Sequence, residues 1–144
     1  MKKIYYYIGI LIIIILFVTL KLTNTYSIEK ATDHGDFITY PNQINIESFN
    51  EFITKVNNHS NTKIRITEYS KEGEPKINDI TYENNIITLH SYYPNNLINK
   101  KKKTEEYTEL YFETIAGNKD MYLINTNTGA KTYICQIRNT NAER

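Results

Sequence analysis

Five side chains in the middle of the chain are candidates for binding a ligand: Arg65, Tyr69, Asp79, His90 and Tyr92. Arg65 and Tyr69 share one face of a predicted strand, because side chains two residues apart point the same way. Asp79 lies opposite on the returning strand, so a cross-strand ion pair with Arg65 is the simplest interpretation. The alternative is a polar binding face that Arg65 and Asp79 form together with His90 and Tyr92.

The sequence predicts no catalytic site, no metal and no cofactor. His34, His59 and His90 lie far apart and form no i, i+4 pair of the kind that binds zinc on a helix. No nucleophile-elbow, phosphate-loop or dinucleotide-binding glycine pattern occurs. Cys135 is the single cysteine, which excludes a disulfide within the chain, and we predict a small thiol in the core or at a sheet edge.

Composition limits the class of partner. A net charge of +1 over 144 residues gives no field that would recruit DNA or RNA, so we predict no nucleic-acid partner. The lysine run at 100–103 is interpreted as part of a solvated loop. About 105 residues follow the apolar start and a short linker, which suits one domain with one core. We expect that domain to be monomeric.

The N-terminus carries the clearest targeting signal. Lys2 and Lys3 precede an uncharged, apolar run from Ile4 to Leu20, which indicates insertion with the N-terminus in the cytoplasm. Residues 1–22 are therefore interpreted as a single transmembrane anchor or as a signal sequence that would be cut after Ser27. Either alternative places the remainder outside the cell. A core helix would need a polar face, which this run lacks.

The elements that must position the candidates follow in order. Residues 23–33 are polar and aperiodic and are interpreted as a linker. Phe37 to Tyr40 predicts a short strand, and Ile46 to Asn57 predicts a helix with an apolar stripe at spacings of three and four. The turn from Ser70 to Pro75 joins two strands within Lys63–Tyr82.

Further strands are predicted at 86–93, 107–115, 121–125 and 132–137, with a loop over 94–103. The predicted fold class is α+β: one helix packed on a meandering antiparallel sheet of about five or six strands, preceded by the N-terminal membrane or signal helix. This extracytoplasmic domain would cover residues 34–138, and residues 139–144 would form a disordered tail.

The chain resembles the bacterial domain of unknown function 4362 family, small envelope lipoprotein-like proteins of Gram-positive spore-formers. The resemblance extends from about Lys30 to Ile137 and is most specific between Gly35 and Tyr82. It rests on Ala31, Gly35-Asp36, Phe49, Phe52, Val56, Ile64-Arg65-Ile66, Tyr69, Glu72-Gly73-Glu74-Pro75, Asp79 and Tyr82. It implies export and a fold, but no activity.

This chain departs from the family pattern in its cysteines. The apolar run has no cysteine near its end to carry a lipid. Family members often have two further cysteines in the C-terminal half, and only Cys135 matches one of them. A disulfide between two such family cysteines would therefore be missing here.

We predict a non-enzymatic, membrane-anchored binding module of the cell envelope. It would contact the membrane through residues 4–22 and bind a protein, a peptide or a wall component. One alternative is a secreted or anchored envelope enzyme, which would need a concave pocket with convergent polar groups. The other is an anchored inhibitor or immunity-type protein.

Overall fold

The computed structural model describes residues 7–16, 25–95 and 103–138. Residues 7–16 are helical and are called α1. The other elements are α2 (Ile28–Asp33), β1 (Phe37–Tyr40), α3 (Ile46–Asn57), β2 (Thr62–Tyr69), β3 (Pro75–Glu83), β4 (Ile86–Tyr92), β5 (Lys103–Tyr107), β6 (Glu109–Ile115), β7 (Asn118–Asn125) and β8 (Ala130–Ile137).

The strands form two sheets, which corrects the predicted fold class. A five-stranded sheet has the order β1-β2-β3-β4-β5, and a three-stranded sheet has the order β6-β7-β8. β1 pairs with β2 in parallel, with α3 as the crossover, and every other pairing is antiparallel. The described residues therefore hold eight strands and are dominated by sheet, so one helix on a single five- or six-stranded meander was the wrong architecture.

The two sheets and α3 enclose one main core. Phe49 and Phe52 project from the apolar stripe of α3 and are buried. They pack with β2 and β3 residues such as Ile66 and Ile80 and with β7 residues such as Leu123. This arrangement positions α3 over one face of the five-stranded sheet and leaves the other face, called here the outer face, for the polar side chains.

Thr108 is where the chain passes from one sheet to the other. The sequence predicts a single strand over 107–115, but Tyr107 pairs with Ile87 in the large sheet while Leu110 pairs with Leu123 in the small one. Thr108 donates its backbone N–H to the carbonyl oxygen of Ile124 at 2.9 Å. The prediction failed because the alternation of Leu110 and Phe112 was extended back to Tyr107, although Tyr107 and Leu110 both contact the main core and lie three residues apart, which breaks the alternation at Thr108.

Part of the segment interpreted as a linker is folded. Residues 28–33 form α2, where Ser27 caps the first turn by accepting from the N–H of Lys30. Ala31 is fully buried and packs with Ile38 and Tyr69 in a second, smaller core on the outer face. Ala31 is the only apolar side chain that α2 buries completely, so the segment shows too little periodicity to predict a helix.

The N-terminal run is described only in part. Across the described ranges, none of the helices combines the length and the apolar character needed to cross a bilayer. The expected transmembrane or signal helix ahead of the sheet is therefore not found there. The remainder of that run, the loop at 96–102 and the predicted tail at 139–144 lie outside the described residues.

Candidate functional site

Four polar residues form a row across the outer face of the large sheet. Strand register places Arg65 beside Asp79, Asp79 beside His90, and His90 beside Thr104. Because directly paired residues point to the same side of a sheet, one residue from each of β2, β3, β4 and β5 contributes to this row. Three of the five predicted site residues thus lie side by side.

Arg65 and Asp79 form a two-point ion pair at one end of the row. Arg65 Nε donates to Asp79 Oδ1 at 2.6 Å, and Nη2 donates to Oδ2 at 3.1 Å. Tyr92 adds a third donor, with its hydroxyl 3.3 Å from Asp79 Oδ2. These bonds with Asp79 raise the pKa of Arg65, whereas burial and then the Asp79 charge raise that of Tyr92. The predicted cross-strand pair is present.

A second carboxylate, Asp36, forms hydrogen bonds with the residues next to this pair. Asp36 is 2% exposed, and its Oδ2 accepts from the hydroxyls of Thr67 at 2.6 Å and Tyr26 at 2.7 Å. Tyr26 also contacts His34 Nδ1 at 3.1 Å and interacts with Arg65. Two hydroxyl donors compensate the burial of the carboxylate, which would otherwise be costly.

His34, Asp36, Arg65, Asp79 and His90 border a cleft of about 640 Å³. Its lining comes from α3, from the turn between α2 and β1, and from the strands β2, β3 and β4. The lining residues are His34, Gly35, Asp36, Ser48, Glu51, Phe52, Lys55, Thr62, Lys63, Ile64, Arg65, Asp79, Ile80, Thr81 and His90. The volume falls in the range of small-ligand and peptide sites.

The cleft contains an uncovered strand edge. β1 pairs only with Ile66, Thr67 and Glu68, so within the described part of the chain no strand lies beside Thr62–Arg65 on that side. The chain turns away towards α2 at Gly35, whose φ of 77° suits glycine. Alternate residues of an edge strand direct backbone N–H and C=O groups outward. Thr62–Arg65 therefore offers these groups to the cleft.

The other two predicted site residues do not line this cleft. Tyr92 is not among the lining residues, although its hydroxyl contacts Asp79, which is one of them. Tyr69 lies under α2, 4% exposed, beside a separate and mainly apolar cavity of about 490 Å³. Its hydroxyl has no hydrogen-bond partner among the described residues, and burial raises its pKa to about 12. The five predicted residues are thus divided between two places.

The row does not assemble a catalytic triad. His90 Nδ1 lies 2.9 Å from Thr104 Oγ1, the distance of a hydroxyl next to a base. The carboxylate that would orient His90 is Asp79, but Asp79 is engaged by Arg65 and Tyr92. In the described part of the chain, no group of three or more His, Cys, Asp and Glu side chains could hold a metal ion.

Cys135 lies between the sheets, 1% exposed, in the main core. Burial raises its pKa to about 12, which keeps the thiol protonated and unreactive near neutral pH. A thiol in the core agrees with one of the two positions that the sequence suggested.

Sequence reasoning missed the contributions of Tyr26, Asp36 and α3. Sequence reasoning gave Asp36 no part in the site and interpreted Tyr26 as part of a linker. The signal available was Asp36 immediately before the apolar β1, because a carboxylate at the start of a buried strand needs donors. On α3, the polar residues of the cleft are spaced three and four apart, so they share one face of the helix. These residues are Ser48, Glu51 and Lys55.

Comparison with known proteins agrees with the resemblance seen in the sequence. No curated protein and no solved structure matches the chain significantly. A family model described as a domain of unknown function matches residues 21–108. The match ends where the chain leaves the large sheet, so β6, β7 and β8 lie beyond it although the resemblance was expected to reach Ile137. The chain belongs to the family of the domain of unknown function DUF4362.

Proposed function

We propose that this protein is a non-enzymatic binding module that captures an extended peptide along the open edge of β2. The observation that carries the proposal is the uncovered stretch Thr62–Arg65 inside the cleft. A peptide that adds a strand to a sheet edge gains main-chain hydrogen bonds, and pockets beside the edge select its side chains. Four residues at about 3.3 Å each give an edge of about 13 Å.

The charges of the cleft suit this mode of recognition. Arg65 is paired with Asp79, and Lys55 lies 2.6 Å from Glu51. Because these two ion pairs neutralise charged side chains that line the cleft, the backbone groups of β2 are the main source of affinity for a peptide. An enzyme would instead need a nucleophile and a base that a third group orients, which the His90 row does not provide.

We propose a titration by NMR to test peptide capture, using the full-length chain in maltoside micelles. The probe is a capped seven-residue peptide of alternating valine and threonine, compared with the same peptide N-methylated at alternate amides in each register. The unmethylated peptide should shift the amide signals of Thr62–Arg65 saturably. Equal binding by the methylated peptides, or no shift at these residues, would refute edge pairing.

Two matched variants on α3 sharpen the test. Ser48→Tyr places a ring in the cleft and should weaken peptide binding at least about tenfold, because it blocks the space beside the edge. Asn50→Tyr adds the same ring to an exposed position of α3 that does not line the cleft, and should leave binding unchanged. β5 lies at the opposite edge of the sheet, so its amide signals serve as an internal control. Shifts there would show that the peptide pairs with any strand edge.

We further propose that residues 4–22 hold the domain at the outer face of the cell membrane, with the N-terminus in the cytoplasm. The lysines before the apolar run support this orientation, and apolar side chains such as Leu11 and Ile13 on α1 are exposed. Tyr26 belongs to the folded domain, which favours retention over a cut after Ser27.

Protease added to intact protoplasts tests this placement. It should remove a C-terminal tag and spare an N-terminal tag on the same chain. Survival of the C-terminal tag would show that the orientation is wrong. A mature protein beginning at Ile28 in the medium would instead show that the run acts as a cleaved signal.

A further inference from the structure

Three tyrosines cross the exposed face of the small sheet in register. Tyr111 pairs with Tyr122, and Tyr122 pairs with Tyr133, so one ring comes from each strand. Their ring centroids are 6.4 Å and 5.6 Å apart, and Tyr111 and Tyr133 are each 44% exposed. These residues, called here the tyrosine strip, lie outside the part of the chain that the family model matches.

The strip already holds an ammonium group. Lys131 Nζ lies 3.9 Å from the ring centroid of Tyr122 and 5.1 Å from that of Tyr111. It is also 3.3 Å from Glu113 Oε2. A cation within about 6 Å of an aromatic centroid is attracted by the negative face of the ring. The chain's own side chain therefore shows that a cation fits at this position.

Carboxylates adjoin the strip on one side. Glu113 and Asp120 are direct partners on β6 and β7, in the row next to the tyrosines. Asp120 accepts from Gln136 at 2.9 Å, and both Asp120 and Glu68 act on the ionisation of Tyr133. Glu113 and Asp120 on the small sheet thus outnumber Lys131 beside the rings, so the charge next to the strip is complementary to a cationic partner.

We propose that the tyrosine strip binds a soluble quaternary ammonium compound of the choline type, which displaces the Lys131 ammonium from the rings. The rings are inclined to each other by 45° and 70°, so they form a ridged surface and not a flat one for stacking planar ligands. Inclined rings that contact a cation from two sides are the arrangement that quaternary ammonium sites use.

The choice of a quaternary ammonium follows from competition with Lys131. An external primary ammonium would offer the rings the same group, but it would lack the advantage of attachment to the chain. A primary ammonium is also strongly hydrated and must be stripped of water. A trimethylammonium group carries its charge on methyl surface, so it gains more from the rings and loses less hydration.

The test is a choline titration of the full-length chain in maltoside micelles, followed by the NMR signals of labelled tyrosine rings. Choline should shift the rings of Tyr111, Tyr122 and Tyr133 saturably. Lys131→Gln should tighten binding about threefold to fivefold by removing the internal competitor, and Tyr122→Leu should abolish the ring shifts. Tyr93→Leu, at another exposed tyrosine, and Lys71→Gln, with the same loss of charge elsewhere, should leave choline affinity unchanged.

Two further ligands distinguish the outcomes. 3,3-Dimethylbutanol has the shape of choline without its charge and should not bind, while glycine betaine should bind more weakly because its carboxylate meets Glu113 and Asp120. Equal binding of choline and the neutral analogue would overturn the proposal, since the rings would then act only as an apolar surface. Unchanged affinity in Lys131→Gln, or an equal gain in Lys71→Gln, would also overturn it.

Discussion

Replacing Tyr69 by phenylalanine tests the packing under α2 most directly. Tyr69 is 4% exposed and packs against Ala31 and Ile38, yet its hydroxyl has no protein partner in the described part of the chain. Tyr69→Phe removes this one polar atom and leaves the ring in place. Any change in the free energy of unfolding therefore reports on the buried hydroxyl.

The expected change is a gain in stability. Burying a hydroxyl without a partner costs about 1–3 kcal/mol. Because relaxation in the native protein recovers part of that cost, we expect Tyr69→Phe to raise the free energy of unfolding by about 1 kcal/mol, or the Tm by about 4 °C.

Tyr26→Phe is the matched control and should change stability in the opposite direction. The Tyr26 hydroxyl donates to Asp36 Oδ2 at 2.7 Å, so its removal leaves a buried carboxylate with the Thr67 donor alone at that oxygen. A hydrogen bond to a charged group contributes about 1.5–3 kcal/mol, and partial exposure of Tyr26 lowers the expected loss to about 1–2 kcal/mol.

Urea unfolding of the full-length variants at pH 7, followed by circular dichroism, measures both changes. Similar m-values would show that the two variants unfold through the same exposure of surface. A loss of 1 kcal/mol or more in Tyr69→Phe would refute the reasoning, because the hydroxyl would then be stabilising the fold. Equal losses in both variants would refute it as well.

Alkaline pH provides an independent check on the same residue. Burial raises the pKa of Tyr69 to about 12 in the folded protein, against about 10 for an exposed tyrosine. Between these values the unfolded chain has released the proton and the folded chain keeps it, so stability falls as the pH rises from 10 towards 12. Tyr69→Phe should show a shallower fall than the parent chain.

Three other predictions concern the pair, the core and the thiol. A double-mutant cycle with Arg65→Met and Asp79→Leu should give a coupling of about 1 kcal/mol in urea unfolding, because the pair is two-point but about one-third exposed; a coupling near zero would contradict that geometry. Phe52→Ala should lower the free energy of unfolding by about 3–5 kcal/mol, since Phe52 is 1% exposed in the main core, and a loss below 1 kcal/mol would place the core elsewhere. Cys135 should react with a thiol reagent at pH 8 only in denaturant, because burial raises its pKa to about 12; rapid reaction in the folded protein would show an accessible thiol.

Local patterns predicted α3 and the two strands that the turn from Ser70 to Pro75 joins. The apolar stripe indicated a helix over Ile46–Asn57, and α3 has those bounds. The turn within Lys63–Tyr82 set the register, which is why Arg65 and Asp79 were expected to be opposite each other. Both patterns depend on residues close in sequence, where spacing alone determines which side chains share a face.

The division into two sheets could not be predicted in the same way. A strand alternates apolar and polar residues whichever sheet it joins, so the change of phase between Tyr107 and Leu110 indicates a break at Thr108 but not that β5 and β6 belong to different sheets. The cleft was missed for a related reason. It depends on how little of β2 the parallel strand β1 covers, and that is determined by the crossover through α3.

The hydrogen bonds of Tyr26 also limit how far the domain can stand from the bilayer. Tyr26 is tied to Asp36 through its hydroxyl and to Asn95 through its N–H. Four residues, 22–25, separate Lys21 from this anchored point, so the two Cα atoms are five residue steps apart and at most about 18 Å from each other. If residues 4–22 hold the chain in the membrane, the domain is tethered with Tyr26 within about two Debye lengths of the headgroups. Its encounters with membrane-borne peptides would then resemble reactions within one molecule, at an effective concentration that free diffusion does not provide.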